Sequence, residues 1–375
     1  MLIDESHALI RDTARRFARE QLVPHAASRD RDGTFPADTI RALGELGFMG
    51  MTIPADYDGA GSDHLALVLA LEEIASGDAS VSTTMSGHNA VGCMPLYKFG
   101  TEQQKERFLQ PMARGEMLSA FCLTEPKGGS DAGNLQTRAR KSGDRYVLNG
   151  SKQFITNGST AQLAIVFAAT DPDAGNKGIT AFLVPTDSPG YRVVRKEDKM
   201  GQRASDTCQI AFDDVEVPAA MRLGAEGEGY RIALSNLEGG RIGIAAQCVG
   251  IARAALDAAV DYARERVTFG KHIIEHQAVG FRLAYMATAV ETARQLIHYT
   301  ARLRDAGLPC LKQASMAKLY ASDAAERVCS DAIQTLGGYG YLKDFPVERY
   351  YRDVRVARIY EGTNDIQCLV IAREL

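Results

Sequence analysis

The chain of 375 residues contains no tryptophan, and only 7% of its residues are aromatic. A hydrophobic core must therefore be built mainly from alanine, leucine, isoleucine, valine and methionine. The chain also lacks a basic surplus, because 43 lysines and arginines face 47 aspartates and glutamates, for a net charge of −4. Nucleic-acid-binding proteins usually carry a clustered basic surplus, so the composition does not support that class.

Long hydrophobic runs and paired cysteines are absent as well. The seven cysteines include no CxxC pair, and their odd number argues against a disulfide framework. Such free thiols fit a reducing compartment. The most apolar long segment, residues 232–260, is interrupted by Glu238, Arg241, Gln247, Arg253 and Asp257. It falls short of the roughly 18 uninterrupted apolar residues of a membrane helix, so we expect a soluble cytoplasmic protein.

The N-terminus does not resemble a secretory signal peptide. Acidic side chains arrive at Asp4 and Glu5, and no apolar stretch of the usual length follows them. The apolar residues near the start follow helical spacing instead and predict an amphipathic helix: Leu2, Leu9, Ile10, Ala14 and Phe17.

Two changes in pattern divide the chain into three predicted domains. Residues 1–118 and 223–375 carry helical patterns, whereas residues 119–222 contain short β-type runs separated by turns. These runs are Tyr146–Leu148, Ala164–Phe167, Thr180–Val184 and Cys208–Phe212. Because no long helix separates the strands, we expect an α+β multidomain fold. It has an N-terminal helical domain, a central antiparallel β-barrel or sandwich, and a C-terminal four-helix bundle.

Two motif matches fail for lack of context. His272 and His276 fit the HxxEH zinc pattern, but no third ligand is clearly placed and two surface histidines explain the spacing equally well. Gly224, Gly227 and Gly229 do not follow the order of a dinucleotide fingerprint, and they do not lie between a parallel strand and its crossover helix. We therefore expect neither a metal site nor a Rossmann domain.

Four polar clusters remain, two of them with several glycines, and each has a structural as well as a functional interpretation. They span Phe121–Asp131, Arg264–Lys271, Gln334–Tyr341 and Ile359–Gln367. Small residues and glycines let a backbone approach a ring system or a pyrophosphate. Ordinary loops and helix caps have the same composition. Glu361 in the last cluster fits either a catalytic base or a solvated carboxylate at a helix start, and local chemistry leaves both open.

Together and in this order, the clusters resemble the acyl-CoA dehydrogenase family of flavoproteins. The resemblance covers essentially the whole chain. It rests on seven features in the family's order: FCLTEPKGGSDAG, LNGSKQFITNG, KMGQRASDT, ERVTFGK, QTLGGYGY, YYRDVRVARIYEGTNDIQ and the succession of helical, β and helical segments. A single motif would be weak support, but this ordered set makes coincidence implausible.

The resemblance implies an enzyme that binds one FAD per subunit and oxidises an acyl-CoA thioester to its trans-2-enoyl-CoA. At the matching position Glu361 removes the α-proton, and the β-hydrogen leaves as hydride to flavin N5. Donors preorganised for the enolate oxygen make such a proton removable, and burial raises the pKa of a glutamate base. The implied partners are an electron-transferring flavoprotein and further copies of the chain in a tetramer, a dimer of dimers. The implied location is the bacterial cytoplasm or the mitochondrial matrix.

The family's contact residues map onto matching positions of this chain. Those implied to contact FAD are Phe121, Leu123, Thr124, Gly129, Ser130, Phe154, Ile155, Thr156, Arg266, Phe269, Gln277, Gln334, Gly337, Gly338, Thr363 and Asn364. Arg266, Gln277 and the stretch from Gln334 to Gly338 are implied to hold the FAD diphosphate and adenosine, partly across a subunit interface. Those implied on the substrate side are Ser130, Ser205, Glu238, Arg241 and Gly362.

Two positions depart from common family patterns. Many relatives have tryptophan where this chain has Phe154, which bears on flavin packing and on docking of the electron acceptor. Some relatives carry their base directly before the position of Arg241, where this chain has Gly240. Because glycine cannot be a base, the assignment to Glu361 is sharpened, and short- or medium-chain substrates are favoured over isovaleryl or long-chain ones.

Three alternatives stay open. A branched substrate such as isobutyryl- or 2-methylbutyryl-CoA is compatible with the late glutamate. An acyl-CoA oxidase would pass electrons to O₂, although such oxidases are much longer. A non-catalytic homologue that binds CoA esters would be expected to have lost Glu361 or the flavin loops, and both are present.

Overall fold

A computed structural model describes residues 3–375, and its elements follow the predicted order of helical, β and helical segments. Leu2, part of the predicted N-terminal helix, lies outside the described residues. The helix itself is present as α1 (Glu5–Phe17), capped by Asp4, whose side chain accepts from the His7 N–H. It buries Ala14 and Phe17, whereas Leu9 is exposed.

The N-terminal segment is built from helices joined in places by single π-helical turns. After α1 come α2 (Val23–Asp32), α3 (Ala37–Glu45), α4 (His64–Gly77), α5 (Ala79–Gly87), α6 (Met94–Phe99), α7 (Glu102–Gln104) and α8 (Gln110–Ala113). Helix α4 is buried on nearly all sides, which its almost continuous apolar sequence requires. Asp63 begins it by accepting from the Ala66 N–H at 2.8 Å.

The middle segment is a sheet with strand order β6-β7-β3-β2-β4-β5-β8, and β1 joins it at β4. Its strands are β1 (Ser119–Cys122), β2 (Arg138–Ser142), β3 (Arg145–Thr156), β4 (Leu163–Ala169), β5 (Ile179–Pro185), β6 (Tyr191–Lys196), β7 (Thr207–Pro218) and β8 (Arg222–Leu223). Strands β3, β4, β5 and β7 contain the four runs that the sequence predicts.

The expectation of an antiparallel sheet needs a correction, because the sheet is mixed. Strand β1 pairs with β4 in parallel, and β2 meets β4 in parallel through one residue pair. The chain leaves β1, forms the β2–β3 hairpin, and returns along β1 as β4. A β-hairpin thus replaces the helix that usually makes a parallel crossover, so the absence of helices did not exclude parallel pairing.

The C-terminal segment contains three long helices, α9 (Gly229–Glu265), α10 (Gln277–Asp305) and α11 (Leu311–Leu336). The short strands β9 (Val267–Thr268) and β10 (Lys271–His272) lie between the first two, and α12 (Val347–Val354) and α13 (Asn364–Arg373) follow. Helix α13 packs on α11, and α12 packs on both α9 and α11.

Helix α9 is the only described helix long and apolar enough to cross a membrane, but it is a core helix here. It packs against α4, α10 and α11, and 72% of its most apolar 18-residue stretch is buried. Its contact with α4 joins the N- and C-terminal segments. The active-site candidates lie around this junction and along the sheet.

Candidate active site

Two segments assigned to the flavin by resemblance lie side by side in the middle domain. The Gln153 N–H donates to the carbonyl of Thr124 at 2.9 Å and ties β3 to the loop after β1. That bond brings the loop with Phe121, Leu123, Thr124, Gly129 and Ser130 beside the segment Phe154, Ile155 and Thr156. The side chains of Phe121 and Thr124 are partly buried, whereas Gly129 and Ser130 are exposed.

Phe154 is turned outward by an irregularity in β3. Lys152 pairs with Ile210 and Ile155 with Cys208, so two residues of β3 oppose one residue of β7. Such a bulge re-aims a side chain. Phe154 has a φ of 57° and is 65% exposed, while Ile155 beside it is buried. A bulky residue at positive φ is strained, and such strain is typical of functional positions.

The loop Phe121–Ser130 and the segment Phe154–Thr156 are predicted to contact FAD, and we call the surface they form the flavin-side wall. A buried ion pair that the sequence reading missed anchors this wall. Lys152 Nζ lies 2.8 Å from Glu125 Oε1 and donates to the Leu123 carbonyl at 3.0 Å. Glu125 also accepts from the backbone N–H groups of Gln136 and Thr137. Burial opposes the charge of Glu125, but Lys152 and these donors outweigh it and lower the pKa of the carboxyl. In the sequence, Lys152 is a lysine within a strand, and this pattern does not distinguish a buried lysine from an exposed one.

A second group of predicted FAD residues lines a cavity of about 590 Å³ in the C-terminal segment. Its walls include Arg266, Phe269, Gln334, Gly337 and Gly338. That volume suits a nucleotide-sized ligand. A Cβ placed on either glycine would meet no atom within 4 Å, so the backbone is open to an approaching group. Arg266 is exposed over the Tyr339 ring and offers a cation suited to a diphosphate.

The rim of this cavity carries a highly exposed aromatic side chain. Phe269 and Gly270, with φ of 50° and 79°, form the two-residue turn between β9 and β10. This turn conformation leaves Phe269 97% exposed. Gln277 is the first residue of α10, exposed, and adjacent to the lining residue His276 without lining the cavity itself.

Glu361 lies at the end of a short irregular segment with its carboxylate against helix α9. A Cβ at Gly240 would stand 2.6 Å from Glu361 Oε2, so the glycine provides the space that this carboxylate occupies. Oε2 is screened from solvent and has no hydrogen-bond partner among the described residues. A buried carboxylate oxygen without a partner is costly and is expected where a ligand or a proton transfer completes the site.

The electrostatic environment brings the pKa of Glu361 close to neutral pH. Burial raises the pKa of this carboxyl to about 7, with Arg241 and Lys318 opposing the shift. The residue has a φ of 53°, and its N–H makes no hydrogen bond within residues 3–375. The site therefore holds a proton acceptor next to an uncommitted backbone donor.

Among the predicted substrate-side residues, Arg241 and Gly362 lie close to Glu361, whereas Glu238 and Ser205 have other surroundings. Arg241 is buried, donates to Ser315 Oγ at 3.2 Å, and contributes positive charge near Glu361. Gly362 directly follows Glu361 and has a φ of 84°. Glu238 points instead to Arg304 Nη1 at 2.6 Å and is approached by the Cys310 thiol. Ser205 is buried in the middle domain with its hydroxyl unpaired.

Thr363 and Asn364, which are predicted to contact FAD, have structural contacts within the fold. The Thr363 hydroxyl accepts from the Ile366 N–H and caps α13. Asn364 is buried, and both ends of its side-chain amide are hydrogen-bonded. Its Oδ1 accepts from Lys318 and Ser322, and its Nδ2 donates to Ser322 and Asp323. Lys318, which the sequence reading did not single out, is thereby placed beside the catalytic segment.

The zinc-like histidines do not form a metal centre in the part of the chain that is described. No group of three or more His, Cys, Asp or Glu side chains between residues 3 and 375 is arranged to hold a metal ion. His276 instead contacts Thr268 across the β9–β10 hairpin, with 3.3 Å between Nε2 and Oγ1.

Comparison with known protein families matches the three segments in turn. Residues 4–116, 120–215 and 227–375 match the N-terminal, middle and C-terminal domains of acyl-CoA dehydrogenase. The chain belongs to the acyl-CoA dehydrogenase family. It is therefore a flavoprotein oxidoreductase that acts on acyl-CoA, and FAD is its cofactor.

Individual acyl-CoA dehydrogenases are similar over the full length. The short-chain specific mitochondrial enzyme of Rattus norvegicus is 48% identical, covering 100% of this chain and 90% of the relative. The butyryl-CoA dehydrogenase of Megasphaera elsdenii is 44% identical, with a TM-score of 0.98 over 100% of this chain and 99% of the other. A chain solved in work on the electron transferring flavoprotein of Acidaminococcus fermentans is 45% identical, with a TM-score of 0.98 and coverage of 100% and 98%.

Proposed function

We propose that this acyl-CoA dehydrogenase oxidises short straight-chain acyl-CoA to trans-2-enoyl-CoA with Glu361 as the base. The observation that carries the proposal is the partnerless, solvent-screened Oε2 of Glu361 against Gly240. A carboxylate with a raised pKa and no internal partner is suited to accept a proton from carbon. The similarity to short-chain and butyryl-CoA dehydrogenases supports the substrate class.

Two residues of the chain, Glu361 and Arg241, take part in proton removal. Glu361 accepts the α-proton, and its own uncommitted N–H donates to the thioester oxygen as negative charge develops there. Arg241 supplies positive charge near the carboxylate of Glu361. Bound FAD supplies the acceptor for the β-hydrogen and its electron pair.

We assign the holding of FAD to two parts of the chain. The loop Phe121–Ser130 and the segment Phe154–Thr156 form the wall for the ring system. Arg266, Phe269, Gln334, Gly337 and Gly338 form a cavity that does not include Glu361 among its lining residues. We infer that this cavity receives the diphosphate and adenosine end of a cofactor shared with a second copy of the chain, in a tetramer. The 97% exposure of Phe269 at its rim supports a partner surface there.

The electron acceptor is proposed to be an electron-transferring flavoprotein. The similarity to the chain from the Acidaminococcus fermentans work supports this partner. We expect this partner to approach the ring system past Phe154, and the 65% exposure of that side chain supports the expectation.

The deciding experiment measures turnover of the purified holoenzyme with an artificial electron acceptor. Butyryl-, hexanoyl-, octanoyl-, isobutyryl- and 2-methylbutyryl-CoA form the substrate panel, and we expect butyryl-CoA to give the highest kcat/KM. Glu361→Gln should lower kcat by roughly 10²–10⁴-fold, because the amide cannot accept the proton.

The pH profile gives a second readout on the same residue. A base acts only when deprotonated, so kcat/KM should fall about tenfold per pH unit below an apparent pKa of about 7. A solvated glutamate would place that limb near about 4.3. Wild-type turnover in Glu361→Gln, or an acidic limb at the solvated value, would refute the assignment of the base.

A further inference from the structure

Lys318 is a buried cation that the proposed mechanism does not use. It lies on α11, is 0% exposed, and donates from Nζ to the Gly362 carbonyl at 2.8 Å and to Asn364 Oδ1 at 2.9 Å. Among residues 3–375 it makes no ion pair with a carboxylate within 4.0 Å, and both of these hydrogen bonds go to neutral oxygens. Burying an ammonium group without a counterion is unfavourable, so packing alone does not explain this residue.

The backbone that Lys318 contacts is the strained part of the catalytic segment. Glu361 and Gly362 have consecutive positive φ values of 53° and 84°. For a glutamate this conformation is strained and persists only when its surroundings enforce it. Gln367 Nε2 donates to the carbonyls of Glu361 (3.2 Å) and Gly362 (2.9 Å), so Gly362 is held from both α11 and α13.

Helices packed around the segment supply the charges that act on the base. Arg241 on α9 and Lys318 on α11 both favour the ionised form of Glu361 against its burial. Lys318 itself has a pKa lowered to about 8 by burial, while Cys248, Glu361 and Asp323 act to raise it and Arg241 to lower it further. Lys318 is therefore mainly protonated at neutral pH and loses its proton just above it.

We propose that Lys318 is a positioning residue for the dehydrogenation: its ammonium group locks the Glu361–Gly362 backbone through Gly362 and Asn364 and supports the carboxylate as a base. This inference rests on the proposed function. The protonated amine is required for its charge, because a neutral amine keeps the packing and can still donate to both oxygens but no longer favours the ionised carboxylate of Glu361. Glu361 remains the group that meets the substrate, and Lys318 acts through it.

Lys318→Met tests the proposal in the holoenzyme, since methionine fills similar space without charge or donors. We expect kcat to fall by about 10²-fold, the scale of a base misplaced by about 1 Å, with KM changing much less. The acidic limb of kcat/KM should move to higher pH, because a lost cation favours the neutral carboxyl. Lys312→Met on the same helix is the matched control, because Lys312 donates to the Glu374 carbonyl at an exposed position, away from Glu361 and Gly362.

Lys318→Arg separates charge from packing, and it keeps the test sharp if the methionine variant folds poorly. The wild type should lose activity above an apparent pKa near 8 as Lys318 deprotonates. Arginine stays protonated throughout this range, so Lys318→Arg should remove that alkaline limb while keeping the acidic one near the wild-type value. Lys312→Met should retain both limbs.

A structural readout is independent of turnover. Crystal structures of the wild-type and Lys318→Met holoenzymes should show Glu361 leaving its positive-φ conformation only in the variant. An unchanged backbone with unchanged pH limbs would overturn the positioning role, and so would a loss of stability or bound FAD without any shift in the limbs. If the wild type oxidises no acyl-CoA, the proposed function fails, whereas the backbone comparison still decides the role of Lys318.

Discussion

Three predicted site residues are among the seven described non-glycine residues that have a positive φ. Phe154, Phe269 and Glu361 all have positive φ, and each matches a position that the family uses to contact cofactor or substrate. Their side chains belong to residue types that normally avoid this region, so the fold must enforce each conformation. Three local features hold these conformations in place: the bulge in β3 at Phe154, the β9–β10 turn at Phe269, and the contacts of Gly362 beside Glu361.

Gly240 is the residue-scale feature that leaves room for the base. In Gly240→Ala the added Cβ would lie 2.6 Å from Glu361 Oε2, and the carboxylate, at the end of a flexible side chain, should swing away. The chain should still fold, because alanine within a helix stabilises by about 0.4–1 kcal/mol relative to glycine. We expect kcat to fall by about 10²-fold without a drop in Tm, measured by steady-state kinetics and thermal unfolding of the holoenzyme.

Gly239→Ala is the control for that substitution on the preceding residue. Its Cβ would meet only the tip of Arg304, at 3.4 Å, so activity should stay within a few fold of wild type while the helix gains the same stabilisation. Equal activities in the two variants would show that Gly240 does not define the position of the carboxylate.

Whole elements were more predictable from the sequence than their pairing or their irregularities. The long helices and the four predicted strands follow from periodicity and turn residues, which are local properties. The parallel pairing of β1 with β4 depends on where the β2–β3 hairpin sends the chain, and no local pattern encodes that. The bulge between Lys152 and Ile155 likewise depends on pairing with β7, so the outward turn of Phe154 was not predictable.

The flavin-side wall should depend on the buried Lys152–Glu125 pair. Glu125→Gln leaves the ammonium of Lys152 without a charged partner, and breaking one side of a buried pair costs about 3–5 kcal/mol. Because Lys152 also holds the Leu123 carbonyl, the loop along the flavin should loosen. We expect less FAD to remain bound after gel filtration and a lower Tm of the protein.

Two further variants isolate the buried charge as the cause. Adding Lys152→Met to Glu125→Gln removes the unpaired ammonium and should restore part of the lost stability. Asp213→Asn breaks the exposed pair with Arg192 in the same sheet and should change stability by about 1 kcal/mol or less. If Glu125→Gln behaves like Asp213→Asn, the pair does not anchor the wall.

At the scale of the molecule, the order of the domains was predictable but the joints between them were not. Composition changes along the chain reveal where helical and β segments alternate, whereas contacts between α4 and α9 join residues that are far apart in the sequence. Glu73, in a sequence that indicates only an apolar helix, is 3% exposed and receives two hydrogen bonds from Arg253, 180 residues away, and one from Arg15. This group links α1, α4 and α9.

The ion pairs of Glu73 with Arg253 and Arg15 should determine how stable the assembled domains are in acid. Burial disfavours the charged carboxyl, but hydrogen bonds from Arg253 and Arg15 outweigh it and lower the pKa of Glu73. A lowered folded-state pKa gives stabilisation that is present above the unfolded-state pKa, about 4.3, and is lost as pH falls through the lower folded-state value. Glu73→Gln should therefore destabilise the holoenzyme by about 3–5 kcal/mol at neutral pH, measured by denaturant unfolding.

The difference between wild type and Glu73→Gln should shrink below about pH 4, because the wild-type carboxyl then becomes neutral as well. Glu291→Gln is the control from the neighbouring network, since Glu291 meets Arg294 with its side chain 55% exposed. An exposed pair contributes about 0–1 kcal/mol, so this variant should remain close to wild type at every pH. A Glu73→Gln deficit that persists unchanged in acid would mean that packing around the side chain, and not its charge, joins the domains.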